Sequence, residues 1–287
     1  RYYSISDQKK LPFEYVKKCP FNHYSRKNIG YLIAIKENAD LIIETDDDNL
    51  PLKNFWKIPL KKNLTDLTSE KNTFVNVYDL FLNQKQSFCW PRGYPLEQIK
   101  KNREKKIKFK KLLSLNPIQQ DLADLNPDVD AVYRLTQKLP ITFDKRKPVA
   151  LNSYNWSPFN SQNTRWFPEA FSLMYLPSTC SFRMTDIWRS YIAQRIGWEY
   201  NWKILYRESS VTQERNAHDL LNDFELEISG FLNYSLIKNK LSGLNLSEDI
   251  GDNLISCYNL FIKNKLFTKS ENQLLFSWLS DYEKFKS

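Results

Sequence analysis

A short apolar run that ends in three consecutive carboxylates constrains this chain most. Residues 41–49 read LIIETDDDN. Ile-rich runs of this length are typical of buried strands, often parallel ones, and ligands of open α/β sheets bind just past the carboxyl ends of such strands. A divalent cation would offset the repulsion between the carboxylates, because Mg²⁺ and Mn²⁺ take carboxylate oxygens as ligands. We therefore predict a metal site at Asp46 and Asp48 rather than a solvated acidic turn.

The rest of the chain predicts an α/β protein with a helical extension. Strands are expected at 41–45, 73–78 and 202–206, and helices at 26–38, 98–113, 182–198 and 219–240, with two more in 247–287. Strands that alternate with helices indicate a sheet domain over residues 1–215, and the helical remainder, 216–287, is expected to be a C-terminal extension. The chain has no run of 18 apolar residues, so no transmembrane helix is predicted within it.

The charge and composition narrow the classes of partner. The 287 residues carry a net charge of +9, which suits nucleotide-sugar phosphates, nucleic acid or an anionic membrane surface. The basic run at 100–111 is typical of a solvated helix face, and aromatic residues do not interleave with it as in single-strand binders, so nucleic acid is not the expected partner. Only six glycines occur, and the chain has no Gly-rich dinucleotide loop. The four scattered cysteines predict reduced, mostly buried thiols.

A few polar residues outside the triplet are candidates for chemistry. His218 is a candidate third metal ligand or, alternatively, a surface or helix-capping histidine. Asp186 precedes an apolar helical face, and its spacing fits a general base, a carboxylate that positions an acceptor, or a helix N-terminal residue that satisfies the dipole. Arg92, Arg183 and Arg189 have the side chain that clamps phosphates in a bidentate manner, although surface or ion-pairing roles are the common alternative.

Several ordered blocks of sequence resemble the STELLO family of glycosyltransferases. The blocks are YSRKNIGYL at 24–32, ETDDDN at 44–49, WPRGYPLE at 90–97, DVDAVYRL at 128–135, PFNSQNT at 158–164, SFRMTDIWR at 181–189 and VTQERN at 211–216. The chain is more loosely similar to UDP-arabinopyranose mutases, also called reversibly glycosylated polypeptides, which share the Asp-Asp-Asp, Arg-Gly-Tyr-Pro and Asp-x-Trp elements.

The resemblance implies a GT-A-like (Rossmann-like) mixed sheet flanked by helices, a nucleotide-sugar donor such as a UDP-sugar, and Mn²⁺ or Mg²⁺. It implies that Asp46 and Asp48 hold the ion and that Asp47 faces the ribose or the outer shell of the metal. Arg26, Lys27 and Asn28 precede the same strand and are expected to reach the nucleotide. A GT-A domain opens with a strand and loop that hold the base, and we expect this first βα unit to be missing here.

These observations predict a metal-dependent glycosyltransferase that transfers a sugar to a glycan or other acceptor, with Asp186 and Arg92 as catalytic residues. The alternatives are a nucleotide-sugar mutase, an inactive glycosyltransferase-like interaction module, and a nucleic-acid-binding protein. The expected cellular compartment depends on the organism. It is the Golgi lumen for a eukaryotic member with an upstream anchor and the cytoplasm for a prokaryotic member.

Overall fold

The computed structural model describes residues 1–69, 73–82, 88–102, 107–214 and 219–286, and it confirms the predicted α/β class. The strands are β1 (Ile42–Thr45), β2 (Asn49–Pro51), β3 (Lys62–Thr68), β4 (Phe109–Asp124), β5 (Val149–Ala150), β6 (Asn163–Trp166) and β7 (Trp202–Gln213). The helices are α1 (Ile5–Lys9), α2 (Glu14–Lys18), α3 (Lys27–Lys36), α4 (Leu96–Asn102), α5 (Ala131–Thr136), α6 (Thr185–Glu199), α7 (Leu220–Ser242), α8 (Ile250–Lys263) and α9 (Glu271–Phe285). Short 3₁₀ helices lie at Tyr24–Arg26, Pro168–Met174 and Phe182–Met184.

The mixed sheet is organised around a long central strand. The strand order is β1-β6-β4-β3-β5-β7-β2, and β4 also pairs in parallel with β7. The inward polar residues of β4 are satisfied by side chains of neighbouring strands. Asp121 Oδ2 accepts hydrogen bonds from Arg165 Nε at 2.9 Å and from Ser210 Oγ at 2.7 Å. Gln120 exchanges hydrogen bonds with Asn160, at 2.8 and 3.0 Å, which fixes the segment that leads into β6.

The acidic triplet is a short link between the first and the last strand of this order. β1 pairs with β6 through Thr45 and Asn163, and β2 pairs with β7 through Asn49 and Gln213. Both pairings are antiparallel, whereas Ile-rich strands of this kind are often parallel, and the predicted strand itself is confirmed as β1. The side chain of Asn49 donates to Thr45 Oγ1 at 2.8 Å and thereby closes the link.

The buried helix α6 is tied to β1 by an ion pair. Residues 185–197 of α6 are all buried, and a helix that is buried all round must pair its charged side chains. Arg189 donates to both carboxylate oxygens of Glu44, at 2.9 and 2.7 Å, and Glu44 also accepts from Trp166 Nε1 at 2.9 Å and from Tyr31. This network sets the distance between the strand that leads into the triplet and the helix that carries Asp186.

The C-terminal helices contact the α/β part through buried carboxylates. Glu271 at the start of α9 accepts hydrogen bonds from Tyr175 Oη at 2.5 Å and from the Thr179 amide at 2.8 Å. Asp281 accepts from the amides of Glu14 and Tyr15 at 2.9 and 2.8 Å. The division into two domains at 215 stays a prediction. Among the described residues, the helices are all too short or too polar to cross a membrane.

Most predicted helices are confirmed, and the strand predicted at 202–206 forms the start of β7, but two local predictions are wrong. The alternating segment 73–78 forms one bridge, between Phe74 and Trp156, because residues 74–78 are all buried and none forms the exposed face of a half-buried strand. In the basic segment 98–113, α4 is described as far as Asn102, residues 103–106 lie outside the described residues, and a strand, β4, begins at Phe109 because pairing with β3 outweighs local preference. Asp186 lies in the first turn of α6, the helix N-terminal position that was one of its predicted roles.

Candidate active site: a carboxylate cleft between β1 and α6

The acidic triplet opens into a cavity of about 470 Å³, which we call the carboxylate cleft. Its lining comes from the β1–β2 link, the start of α3, the loop before α4, the loop before α5, the start of α6 and the end of β7. The lining residues are Tyr24, Lys27, Thr45, Asp46, Asp47, Asp48, Arg92, Asp128, Arg134, Gln162, Phe182, Arg183, Asp186 and Gln213. The cleft thus gathers side chains that are far apart in sequence.

Asp46 is held by a lysine from the first turn of α3. Lys27 Nζ lies 2.7 Å from Asp46 Oδ1, and it also donates to Tyr24 Oη at 3.1 Å and to the carbonyl oxygen of Ser161 at 3.4 Å. Burial raises the pKa of Asp46 above its ordinary 3.8, although the Lys27 ammonium opposes the rise. Burial would lower the pKa of Lys27, but Asp46, Tyr31 and Glu44 together outweigh it and raise that pKa. The pair therefore keeps a cation against Asp46.

The other two carboxylates of the triplet lie at the same cleft. Gln213 at the end of β7 donates from Nε2 to Asp48 Oδ1 at 2.9 Å. Asp47 lies between them and also lines the cleft. Because β1 and β2 hold the two ends of the link, Asp46 and Asp48 reach the same cavity from opposite sides of Asp47.

Arg92 joins the buried carboxylate of Asp186 to the partly exposed carboxylate of Asp128 in the lining of the cleft. Its guanidinium donates to both oxygens of Asp128 at 2.8 Å and to the two oxygens of Asp186 at 3.1 and 3.0 Å. Asp186 Oδ2 also accepts from the amide and hydroxyl of Ser161, at 3.1 and 3.2 Å. The side chains of Arg92 and Asp186 are only 7% and 5% exposed, so this arrangement is rigid and largely desolvated.

The environment of Asp186 decides which chemistry suits it. Burial alone would raise the pKa of this carboxyl, but the charge and hydrogen bonds of Arg92, the charge of Arg189 and the Ser161 amide together lower it to about 2. A general base works best when its pKa lies near the working pH. Asp186 is therefore better suited to accepting hydrogen bonds and positioning neighbouring groups than to removing a proton.

The predicted site residues divide into those that reach the cleft and those that do not. Arg183 lines the cleft while its guanidinium pairs with Glu227 of α7 at 2.7 Å. Arg26 is turned away and donates to Gln8 and the Pro20 carbonyl. Asn28 is fully buried against Tyr15 and Leu176, and Arg189 is buried against Glu44. His218 lies outside the described residues.

Some cleft residues were missed by reasoning from the sequence. Asp128, Gln162 and Gln213 contribute polar atoms, yet each comes from a different loop or strand end. The only signal was their position inside the sequence blocks at 128–135, 158–164 and 211–216, because nothing in their local pattern predicts that they meet. Tyr24 and Phe182 add an aromatic rim, with ring centroids 5.4 Å apart.

The cleft fits a divalent cation only as an open site. Asp46 and Asp48 provide hard carboxylate oxygens, which suit Mg²⁺ or Mn²⁺, and the ammonium already beside Asp46 indicates that this pocket accepts positive charge. Within the described ranges, no group of three or more His, Cys, Asp or Glu side chains is placed to hold an ion. An ion at these two carboxylates would therefore complete its shell with water or with ligand oxygens, as Mg²⁺ commonly does.

A mixed seven-stranded sheet flanked by helices, with a carboxylate link at its edge, is consistent with a GT-A-like glycosyltransferase fold. The sequence model of the STELLO glycosyltransferases matches residues 183–286. The chain is also 29% identical over 211 residues to "Probable glycosyltransferase STELLO1" and 30% identical over 211 residues to "Probable glycosyltransferase STELLO2", both from Arabidopsis thaliana. Together these matches identify the chain as a member of the STELLO family.

The extent of the match differs between the chain and its relatives. The alignments cover 68% of this chain but 27% of STELLO1 and 28% of STELLO2. The chain thus spans just over a quarter of the length of the curated relatives it matches.

Proposed function

We propose that this chain is a metal-dependent glycosyltransferase that transfers a sugar from a nucleoside-diphosphate sugar, a UDP-sugar in the first instance, to a glycan or other acceptor. One observation carries the proposal. The carboxylate cleft brings the Asp46–Asp48 link, Lys27 and the Arg92–Asp186 pair to a single concave surface.

The charge of the cleft supports a divalent cation. Five carboxylates and four basic side chains line it among the described residues, and two of those carboxylates are already paired with Arg92. A doubly negative diphosphate would be repelled from such a surface. One divalent cation at Asp46 and Asp48 reverses that balance, and it supplies the stabilisation of charge that builds on a departing diphosphate.

The protein side chains then have separate tasks. Asp46 and Asp48 hold the ion, and Asp47 faces the ribose or the outer shell. Lys27 and Arg183, which pair with Asp46 and Glu227, line the cleft and are the cations that we assign to the phosphate oxygens of the donor. The Arg92–Asp186 pair, with its low carboxyl pKa, orients the acceptor rather than deprotonating it.

The direct test is a thermal-shift panel of nucleotide sugars with and without Mn²⁺. A ligand that binds only the native state raises Tm by mass action, so we expect one donor class to raise Tm only when Mn²⁺ is present. Equal shifts with and without the metal would refute metal-dependent binding. The absence of any shift across the panel would favour an inactive interaction module.

Substitution of the link should weaken the metal-dependent binding of UDP. We expect Asp46→Asn and Asp48→Ala each to weaken it by at least the roughly 10–100-fold that loss of an outer-shell partner costs a metal site. Calorimetry with UDP and Mn²⁺ measures the effect. Asp40→Asn, in the exposed turn before β1, is the matched control and should bind as the unaltered chain does. Unchanged Mn²⁺-dependent binding in Asp48→Ala would sink the assignment.

The same binding should depend on pH in a defined direction. Burial raises the pKa of Asp46. Protons therefore compete with the cation for this carboxylate at pH values above those at which a carboxyl group usually titrates. Affinity for UDP with Mn²⁺ should therefore be full at neutral pH and fall as the pH drops toward that raised pKa. Calorimetry over a pH series checks this, and Asp46→Asn should flatten the profile. A profile that is unaltered by Asp46→Asn would assign the titration to another group.

A mutase is the second candidate, because Asp46–Asp48, Arg92 and Asp186, which also match the mutase elements, meet in the cleft. A mutase converts the ring form of the sugar on the nucleotide without an acceptor. Product analysis after incubation with UDP-sugars alone separates the two functions: a ring-isomerised nucleotide sugar indicates a mutase, and its absence favours the transferase.

A further inference from the structure

Two neighbouring segments outside the cleft expose apolar side chains to solvent. Residues 52–61 link β2 to β3, and residues 107–115 include the first half of β4. The exposed apolar residues grouped here, from these segments and the adjoining β3, are Trp56 (73%), Ile58 (81%), Leu60 (70%), Leu64 (67%), Phe109 (43%) and Leu113 (56%). Leu112 is also 45% exposed, but it alternates with Leu113 along β4 and faces the other side of the sheet. We call the surface of the grouped residues the basic apolar surface. Contiguous exposed apolar surface of this kind on a domain marks a site of interaction with a protein or membrane.

The backbone holds these side chains outward. Phe55 is buried against Ala123 and Val211 of the sheet, whereas its neighbour Trp56 points away from the sheet. The carbonyl oxygen of Leu60 accepts from Gln119 Nε2 at 3.0 Å, and this hydrogen bond fixes the end of the linking segment on β4.

Cross-strand pairing continues the same surface along the sheet. Leu64 of β3 lies opposite Leu113 of β4 in the antiparallel register, and both are more than half exposed. The linking segment runs directly into this β-ribbon, since the carbonyl oxygen of Lys61 accepts a hydrogen bond from the Asn116 amide at 2.8 Å. The exposure follows from the local fold and is not confined to a frayed end.

The two segments carry charge of one sign, and the adjoining β3 adds one carboxylate, Asp66. Residues 52–64 and 107–115 contain no Asp or Glu, and they contain seven lysines: Lys53, Lys57, Lys61, Lys62, Lys108, Lys110 and Lys111. Among neighbouring acidic groups, Glu169 pairs with Lys61 at the rim and Asp66 lies opposite Lys111 in the β3–β4 register.

We propose that the basic apolar surface docks the protein on an anionic lipid bilayer. Trp side chains favour the membrane–water interface, and apolar neighbours gain free energy there by leaving water. Lysines at the same level reach anionic headgroups with their ammonium ends while their stems cover apolar surface. Nucleic acid needs the lysines but has no use for exposed Ile and Leu, since base stacking requires aromatic faces.

The test is co-sedimentation of the purified chain with phosphatidylcholine vesicles that contain or lack phosphatidylserine. We expect binding only to the vesicles with phosphatidylserine, and weaker binding at high salt. Lys57→Ser with Lys111→Ser should lower the partition coefficient about 30-fold, because each lysine near an anionic surface contributes ~1 kcal/mol. Trp56→Ser with Ile58→Ser should also lower it.

Matched controls carry the same changes on the helical side. Lys263→Ser with Lys269→Ser removes two exposed lysines at and beyond the end of α8, and Leu221→Ser with Leu232→Ser removes two exposed apolar side chains of α7. Both should partition like the unaltered chain.

Three outcomes would overturn the proposal. In the first, the lysine variant loses binding while Trp56→Ser with Ile58→Ser keeps it, which indicates a purely electrostatic surface. Binding of a single-stranded oligonucleotide with the same dependence on these lysines would then indicate nucleic acid as the partner. In the second, sedimentation velocity finds a dimer that the Trp56 and Ile58 substitutions dissociate, which assigns the surface to a second copy. In the third, the helical-side controls lose binding as much as the surface variants, which shows that no particular surface is used.

Discussion

Arg92→Met is expected to lower the free energy of unfolding by about 3–5 kcal/mol, the cost of removing one partner from a buried ion pair. The guanidinium forms two-pronged contacts with Asp128 and Asp186, and none of the three side chains is more than 12% exposed. Methionine keeps much of the volume but removes the main donors and the nearest positive charge of both carboxylates. Urea denaturation monitored by tryptophan fluorescence measures the change.

The same substitution separates electrostatics from packing. Adding Asp186→Asn to Arg92→Met removes one of the two stranded charges, so the double variant should regain part of the lost stability. Arg146→Met removes an exposed arginine and should change stability by no more than about 0.5 kcal/mol. A loss under about 1 kcal/mol in Arg92→Met would mean that water or another donor replaces the guanidinium.

Arg189→Met should cost a similar amount, about 3–5 kcal/mol, because it strands Glu44 in the core. Both side chains are 1% exposed, and only Tyr31 and Trp166 would remain as donors to the carboxylate. Glu44→Gln alone should also be destabilising, since it leaves the arginine charge buried. The double variant should cost less than the sum of the two, and equilibrium unfolding of all four proteins gives the coupling energy.

An exposed ion pair is the natural reference for this double-mutant cycle of Glu44 and Arg189. Arg1 and Glu37 lie 3.5 Å apart with side chains 76% and 62% exposed, and exposed pairs contribute little, about 0–1 kcal/mol. Arg1→Met should therefore leave stability nearly unchanged. Additive effects of Glu44→Gln and Arg189→Met would contradict the view that this pair joins β1 to α6.

Helices and two strands were predictable because their local pattern agrees with their environment. The strand before the triplet, the start of β7 and the helices α3, α6 and α7–α9 have apolar patterns that tertiary contacts reinforce. The central strand β4 could not be predicted from the sequence, because it carries lysines at one end and the buried polar residues Gln119, Gln120 and Asp121 in the middle. Those polar residues are tolerated only because partners such as Arg165 from β6 satisfy them, and a single-sequence pattern does not reveal such partners.

The candidate site shows the same limit. Arg26, Lys27 and Asn28 are adjacent, yet consecutive residues around a helix start point in different directions, so only Lys27 reaches the cleft. Asp128 comes from a distant loop and meets Asp186 only through Arg92. The type of each residue was a good guide to candidates for the site. Which of those candidates line the same cleft is decided by the three-dimensional fold.

The three-residue link between β1 and β2 has a consequence for variation among relatives of this chain. Surface loops usually tolerate added length at little cost. Here Thr45 and Asn49 are each registered against a different strand, and the Asn49 side chain also donates to Gln162 of the loop before β6. An insertion between them would have to bulge into the cleft or break one register. Ligand preference at this site is therefore free to diverge by exchange of side chains around the link, but not by changes in its length.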